Sequence, residues 1–338
     1  MLTVLDKTPE QFAQAVADRG WPHYRAAQIA DWVYRKGVGD PLAMKNLPRE
    51  IAGELQVLSA RVAARADSAD GTVKLLLEFP DAQAVECVLI PSGDRHTACL
   101  STQAGCGMGC LFCASGQGGL QRNLTSGEIL EQMLALRQAL PGRISNVVFM
   151  GSGEPLANYE ATLEAIRAIV DRERFAVSAR SVTVSTVGLP AAIRRLAREG
   201  LAVTLAISLH APNDALRRTL LPSAAHTTIA EILAAANDFF HARQREVTLE
   251  YVLLAGVNDS ALCADGLAGL ARKLQRGGGH GLPRPGSDGR QGLRRPPFRP
   301  RRERSRPPQP RGRHPRGLRT TAGACRGRRK GSVHRLHG

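Results

Sequence analysis

A chain of 338 residues, 43% of them hydrophobic, is long enough to bury a sizeable core in one or two domains. No apolar run is long enough to span a membrane and no charged-then-apolar leader opens the chain, so a cytoplasmic location away from membranes is expected. The formal net charge of +16 would suggest a nucleic-acid binder, but residues 277–338 alone hold 17 Arg and one Lys against Asp288 and Glu303, leaving the first 276 residues balanced at 28 basic and 28 acidic groups.

Residues 1–58 read as a small helical domain. Thr8-Pro9-Glu10-Gln11-Phe12 opens a helix with a Thr cap and Pro in the first turn. Ala26, Ile29, Trp32 and Val33 recur at helical spacing. Arg19, His23, Arg25, Arg35, Lys36, Lys45 and Arg49 are interleaved with Trp21, Tyr24, Trp32 and Tyr34, a mixture that could hold a phosphate backbone and stack bases. A solvated helical surface over core aromatics would carry the same residues. Residues 59–96 form a connecting segment with two strand-like runs, Thr72–Phe79 and Val85–Ile90.

From residue 97 to 276 strands and helices alternate. The strands expected are Ala98–Thr102, Asn146–Met150, Ser181–Thr186, Ala202–Leu209 and Val247–Leu254. Helices are expected at about 126–139, 159–170, 190–199, 228–243 and 260–275. Thr125-x-x-Glu128 and Thr228-x-x-Glu231 are capping boxes. Such alternation implies an α/β fold with a parallel sheet. Five units are too few for a closed eight-fold barrel, so a partial (β/α) barrel is expected, with ligands at the carboxyl ends of its strands.

The loop after the first of these strands carries Cys106, Cys110 and Cys113 in C-x3-C-x2-C spacing, thinned by Gly105, Gly107 and Gly109. Thiolates are the usual ligands of iron–sulfur clusters, and a four-iron cluster normally takes four. Three leave one iron open to bind a reacting molecule. A structural zinc knot with Cys99 or His96 as fourth ligand is the alternative, but zinc sites come as paired units and no second pair is present. Seven cysteines with three so clustered fit a reducing compartment better than a disulfide framework. The next strand ends carry Gly151-Ser152-Gly153-Glu154-Pro155, Ser185-Thr186-Val187-Gly188 and Ser208-Leu209-His210-Ala211-Pro212-Asn213-Asp214. Bare backbone, a carboxylate, hydroxyls and an imidazole on the same rim could hold a zwitterionic amino acid and a ribose.

The cysteine triplet resembles the signature of the radical S-adenosylmethionine (SAM) superfamily. Further stretches narrow the likeness, among them Tyr24–Ile29, Trp32–Gly37, Val85–Pro91, Arg122–Thr125, Gly153–Tyr159, Glu250–Leu254 and Gly256–Ser260. Over residues 20–275 the chain is similar to the dual-specificity radical SAM methyltransferases that methylate adenine C2 in 23S rRNA and tRNA; Ser152 departs from the Met usual there. The resemblance implies a [4Fe-4S] cluster on Cys106, Cys110 and Cys113, with SAM contacted by Gly153, Glu154, Ser185, Ser208, Leu209 and His210. In that family one SAM methylates a cysteine near the C-terminus. A second is cleaved reductively, and the resulting radical activates the methyl group for addition to adenine. Glu86 would be the proton acceptor, and Cys99 would resolve the protein–RNA adduct by a disulfide with the C-terminal cysteine. A reducing donor such as a flavodoxin and a monomeric state are also implied. Taken alone, Glu86 reads as a strand surface carboxylate and Cys99 as a small buried hydrophobe.

The likeness stops after Arg276. Residues 277–338 hold 13 Gly and 9 Pro, a composition expected to be disordered, and Cys325 in Gly-Ala-Cys-Arg-Gly lacks the family's surroundings. The segment reads as a reading-frame change, with a basic RNA-binding tail as the alternative. On the first reading the chain as written cleaves SAM without passing a methyl group to RNA. A non-catalytic iron–sulfur RNA-binding protein and a radical SAM enzyme with a non-RNA substrate stay open beside it.

Overall fold

The computed structural model describes residues 1–139 and 142–274. The arginine-rich segment 277–338, with Cys325, lies outside the described residues. The amino-terminal region is helical but its two ends are clipped together. β1 (Leu2–Thr3) and β2 (Leu55–Gln56) pair in parallel, Leu2 opposite Leu55. Between them run α1 (Pro9–Ala17), α2 (Tyr24–Ala30), a π-turn at Asp31–Arg35 and α3 (Arg49–Glu54). α1 starts where the sequence places it. The Thr8 hydroxyl accepts the Gln11 amide at 3.2 Å, and the Gln11 side chain accepts the Thr8 amide at 3.0 Å. Of the four aromatics in the basic stretch, Tyr34 is core, packed edge-on against Phe175, and only Tyr24 is mostly exposed, at 51%.

Among the described residues the sheet of the main body has eight strands. β3 (Arg61–Asp67), β4 (Val73–Glu78), β5 (Ala84–Ser92) and β6 (Arg95–Cys99) form an antiparallel meander. Past β6 the chain makes a small hairpin, β7 (Gln103–Gly105) and β8 (Leu120–Asn123), with α4 (Ala114–Gln117) in its loop. α5 (Ser126–Ala139), β9 (Asn146–Phe149), α6 (Tyr159–Val170), β10 (Val182–Thr186), α7 (Pro190–Arg198) and β11 (Thr204–Ser208) follow. α8 (Asp214–Leu220), α9 (Ile229–Arg243), β12 (Val247–Glu250) and α10 (Ala261–Leu274) complete the described chain. Across the sheet the order is β12-β11-β10-β9-β6-β5-β4-β3, parallel from β12 to β6. Neither edge strand meets the other, so the barrel is partial. Residues 59–96 extend this same sheet by three antiparallel strands instead of standing apart from it.

Register decides what each face of the sheet carries. Side chains alternate along a strand, and directly paired residues share a face. Val85, Cys87 and Leu89 therefore lie with Ala98, Val147, Phe149, Val184 and Ile207 on the face the helices cover, and all are buried. The other face carries Lys74, Glu86, Cys99, Thr183, Ser185, Ser208 and Glu250. This is the concave side of the partial barrel.

α5 is the central helix, buried along most of its length. Its amino end is the expected capping box: the Thr125 hydroxyl accepts the Glu128 amide at 3.1 Å, and Glu128 accepts the Thr125 amide at 2.9 Å. Two buried polar residues on α5 hold other segments. The Glu131 carboxylate accepts the Ser59 hydroxyl at 2.7 Å and the Ala60 amide at 2.8 Å. Gln132 accepts the Ser101 amide at 2.8 Å and donates to the Ser101 carbonyl at 2.9 Å. That two-point grip takes Ser101 out of the ladder, which is why β6 ends at Cys99 and does not run to Thr102.

Candidate functional site

Cys106, Cys110 and Cys113 sit on the loop of the β7–β8 hairpin, and all three line one cavity of about 250 Å³. The loop is pinned at several points. The Cys106 amide donates to Gly119 at 3.0 Å, the Cys113 amide to Cys110 at 3.1 Å, and the Leu111 amide to Leu220 of α8 at 3.0 Å. Gly105 has φ +73°, and a Cβ there would lie 2.0 Å from the Gly119 carbonyl oxygen, so no other residue fits. The returning strand is clamped by Arg122, which ion-pairs with Asp81 and with Glu128 at 2.7 Å. Ser152, the departure from the family pattern, places its hydroxyl 3.1 Å from that of Ser115.

The opposite wall is the row of strand ends. Gly153, Glu154, Ser185, Ser208, His210 and Glu250 line the same cavity. Gly153 has φ +105° and no room for a Cβ, which would meet the Gln103 amide nitrogen at 2.7 Å. Glu154 is 2% exposed. One carboxylate oxygen accepts the Leu156 amide at 3.0 Å, the other the Val187 amide at 2.8 Å. Burial pushes its pKa up to about 7 against the opposing pull of these amides. The Ser185 and Ser208 hydroxyls stand 3.2 Å apart. His210 adopts a left-handed φ of +58° and its Nδ1 accepts the Val252 amide at 3.1 Å, so the neutral ring carries its proton on Nε2. Burial, helped by the charge of Arg217, pushes its pKa down to about 4. Phe112 packs edge-on against it with centroids 4.8 Å apart.

Three sequence-selected residues lie apart from the cavity. Leu209 is buried in the core, and its amide is used by the Glu250 carbonyl at 3.0 Å. Glu86 and Cys99 share the concave face with Ser185 and Ser208 but do not line the cavity. Glu86 is half exposed and pairs with Lys74 at 2.9 Å. Cys99 is paired with Val88 and Val148, and burial pushes its thiol pKa up. The sequence reading does not single out several further residues that support the site. Gln103 accepts the Glu154 amide at 2.9 Å and donates to Asn123 at 2.7 Å. Asn158 donates to Thr102 and Leu124, both at 2.8 Å, and Asn258 donates to His210 and Val252, both at 2.8 Å. Arg217 is buried, donates to the Val187 carbonyl, and keeps Nε and Nη1 without a hydrogen-bond partner.

Residues 100–264 match the radical SAM superfamily, and residues 2–60 match the ribosomal RNA large subunit methyltransferase N-terminal domain. The probable dual-specificity RNA methyltransferase RlmN of Symbiobacterium thermophilum is 46% identical over 270 residues, 78% of this chain and 73% of that one. The relative of the same name from Mycobacterium marinum is 48% identical over 271 residues, 77% of this chain and 74% of that one. This chain belongs to the RlmN family. A solved radical SAM methyltransferase from Sphaerobacter thermophilus, 42% identical, superposes with a TM-score of 0.77 over 80% of this chain and 82% of its own.

RlmN membership brings a [4Fe-4S] cluster and SAM as cofactors, and the donor set fits them. The cysteines among the described residues are free. Burial, then the neighbouring thiols Cys106 and Cys113, pushes Cys110 up to about 11, and burial raises Cys106 as well. Such thiols stay neutral until a metal supplies the compensating charge. No three His, Cys, Asp or Glu side chains among the described residues gather closely enough for a single ion. Three thiols on one loop, all facing a single cavity, are the donor set that a four-iron cluster with one open iron needs.

Proposed function

We propose that the RlmN-like body of this chain methylates C2 of adenine in 23S rRNA and tRNA, with Cys106, Cys110 and Cys113 holding the cluster. The observation that carries the reading is the convergence of that triplet with Gly153, Glu154, Ser185, Ser208 and His210 on one cavity at the carboxyl ends of the strands. When bound, the cluster supplies the electron that cleaves SAM reductively, chemistry that adenine C2 demands because it is not nucleophilic.

The protein's own part is to bind, orient and move protons. The Glu154 carboxylate and the paired hydroxyls of Ser185 and Ser208 offer partners to the amino and ribose groups of SAM. Neutral His210 presents an N–H on Nε2, and Leu209 contributes backbone only. Glu86, on the concave face and open to solvent, can reach a large substrate as proton acceptor. Cys99, on the same face, would be the thiol that resolves an adduct. Further proposals are that the amino-terminal basic face meets RNA, that a donor such as a flavodoxin supplies electrons, and that the chain works as a monomer in the cytoplasm. No helix among the described residues is long and apolar enough to cross a membrane.

The test follows two products from reconstituted protein: 5′-deoxyadenosine, and labelled methyl in an rRNA fragment and a tRNA. The chain as written is expected to cleave SAM. A version with an RlmN-type ending after Arg276 is expected to label RNA at adenine C2. Cleavage with no label from either version would overturn the RNA reading. Label from the chain as written, abolished by Cys325→Ala, would make Cys325 the methyl carrier.

A further inference from the structure

A second cavity, of about 260 Å³, lies at the other end of the sheet. Ile144 and Val177 on its wall precede β9 and β10, whereas the candidate site uses residues that follow those strands. Five arginines line it: Arg35, Arg137, Arg143, Arg172 and Arg174. Among the described residues no Asp or Glu lines it, and of the five only Arg174 enters an ion pair, with Asp171 at 3.2 Å.

We propose that this cavity is a phosphate-binding site. Guanidinium groups match phosphate by bidentate hydrogen bonds, and several of these are held in place before any ligand arrives. Arg137 donates to the carbonyls of Tyr34 and Arg35, and Arg143 donates to the carbonyl of Ala176. Each uses part of its fork on the backbone and keeps further N–H groups. Tyr34 and Phe175, edge-on at 5.2 Å, give the cavity a rigid apolar floor. Five like charges around one space repel one another unless an anion sits between them, and burial with the charge of Arg143 lowers the pKa of Arg137 accordingly. Capping of carbonyls explains Arg137 and Arg143 but not Arg35 and Arg172, which are exposed and enter no ion pair among the described residues. The phosphate is carried by the RNA backbone, which rests on the RNA methyltransferase reading above, or it is free.

The full-length chain and its Arg35→Gln/Arg172→Gln variant separate these sources, and the arginine-rich segment is common to both. Inorganic pyrophosphate is expected to slow amide exchange at residues 171–177 several-fold in the parent and not in the variant. The variant is expected to bind an rRNA hairpin about 5- to 10-fold more weakly at physiological salt, with a salt slope smaller by about 1. Arg172→Glu alone, at an exposed position, should shift both readouts in the same direction. Both effects together assign RNA phosphate; protection by pyrophosphate with unchanged RNA affinity assigns free phosphate. No protection by pyrophosphate overturns the site, even if RNA affinity falls, because diffuse charge would then explain the fall. The pyrophosphate arm stands whether or not the chain methylates RNA.

Discussion

The Glu154 carboxylate accepts the amide of Val187 at 2.8 Å, so one side chain from the loop after β9 fastens the end of β10. With the Leu156 amide on its other oxygen, the group both shapes the rim and faces the cavity proposed to hold SAM. Glu154→Gln keeps the shape but turns an NH2 toward an amide donor. It is expected to cost about 1–3 kcal/mol of stability and, by calorimetry on reconstituted protein, to weaken SAM binding at least about tenfold, the equivalent of ~1.4 kcal/mol. Iron content should stay near that of the parent. Proportional loss of iron and SAM binding would show that Glu154 serves the fold alone.

The proposed cluster ligands predict a different pattern. Reconstituted protein should hold about four irons and four sulfides. Cys106→Ala, Cys110→Ala or Cys113→Ala should each lose most of the iron absorbance and with it SAM cleavage. Stability without metal should change little, because the loop is held by backbone bonds and by Leu111 on α8, not by the thiols. Stoichiometric zinc without iron absorbance in the parent would count against the cluster.

Local signals made the cysteine loop, the capping boxes and the parallel strands legible in the sequence. The strand ends were found for the same reason, since Gly-Ser-Gly-Glu-Pro and Ser-Leu-His stand beside apolar runs. β3 was missed because it is exposed along nearly its whole length and shows no two-residue alternation. β7 and β8, of three and four residues, are too short to show a strand pattern in the sequence. The supports of the site were beyond reach for another reason. Gln103 meets Glu154 across 51 residues and Gln132 meets Ser101 across 31, and single amides carry no pattern. The five arginines of the second cavity run from Arg35 to Arg174, and only folding brings them to one place.

His210 makes the pH dependence of stability predictable. Its pKa falls from an ordinary 6.5 to about 4 in the folded protein because the buried ring is neutral. A lowered folded value means that the stability it contributes is present above pH 6.5 and is lost as pH falls toward 4, by about 3 kcal/mol. Denaturant midpoints should therefore drop across that window. His210→Asn, which tolerates the left-handed backbone, should flatten the drop. An unchanged slope in this variant would assign the acid sensitivity to other groups.

Glu86 and Lys74 sit diagonally on neighbouring strands of the concave face, 2.9 Å apart and each about half exposed, at 53% and 48%. An exposed pair of this kind contributes about 0–1 kcal/mol to stability. Any large effect of Glu86 must then come from chemistry. Glu86→Gln, in a chain carrying an RlmN-type ending, should reduce methyl transfer to RNA by a factor of about 10² or more. Denaturant midpoints should barely move, and SAM cleavage should persist, because Glu86 lies outside the cavity proposed to hold SAM. Lys74→Met removes the ion pair but leaves the carboxylate in place, so its effect on transfer should stay under about tenfold. Equal losses in the two variants would mean that the pair positions the strand and that the proton acceptor is elsewhere. Glu250, which lines the cavity itself, would then be the carboxylate to replace next.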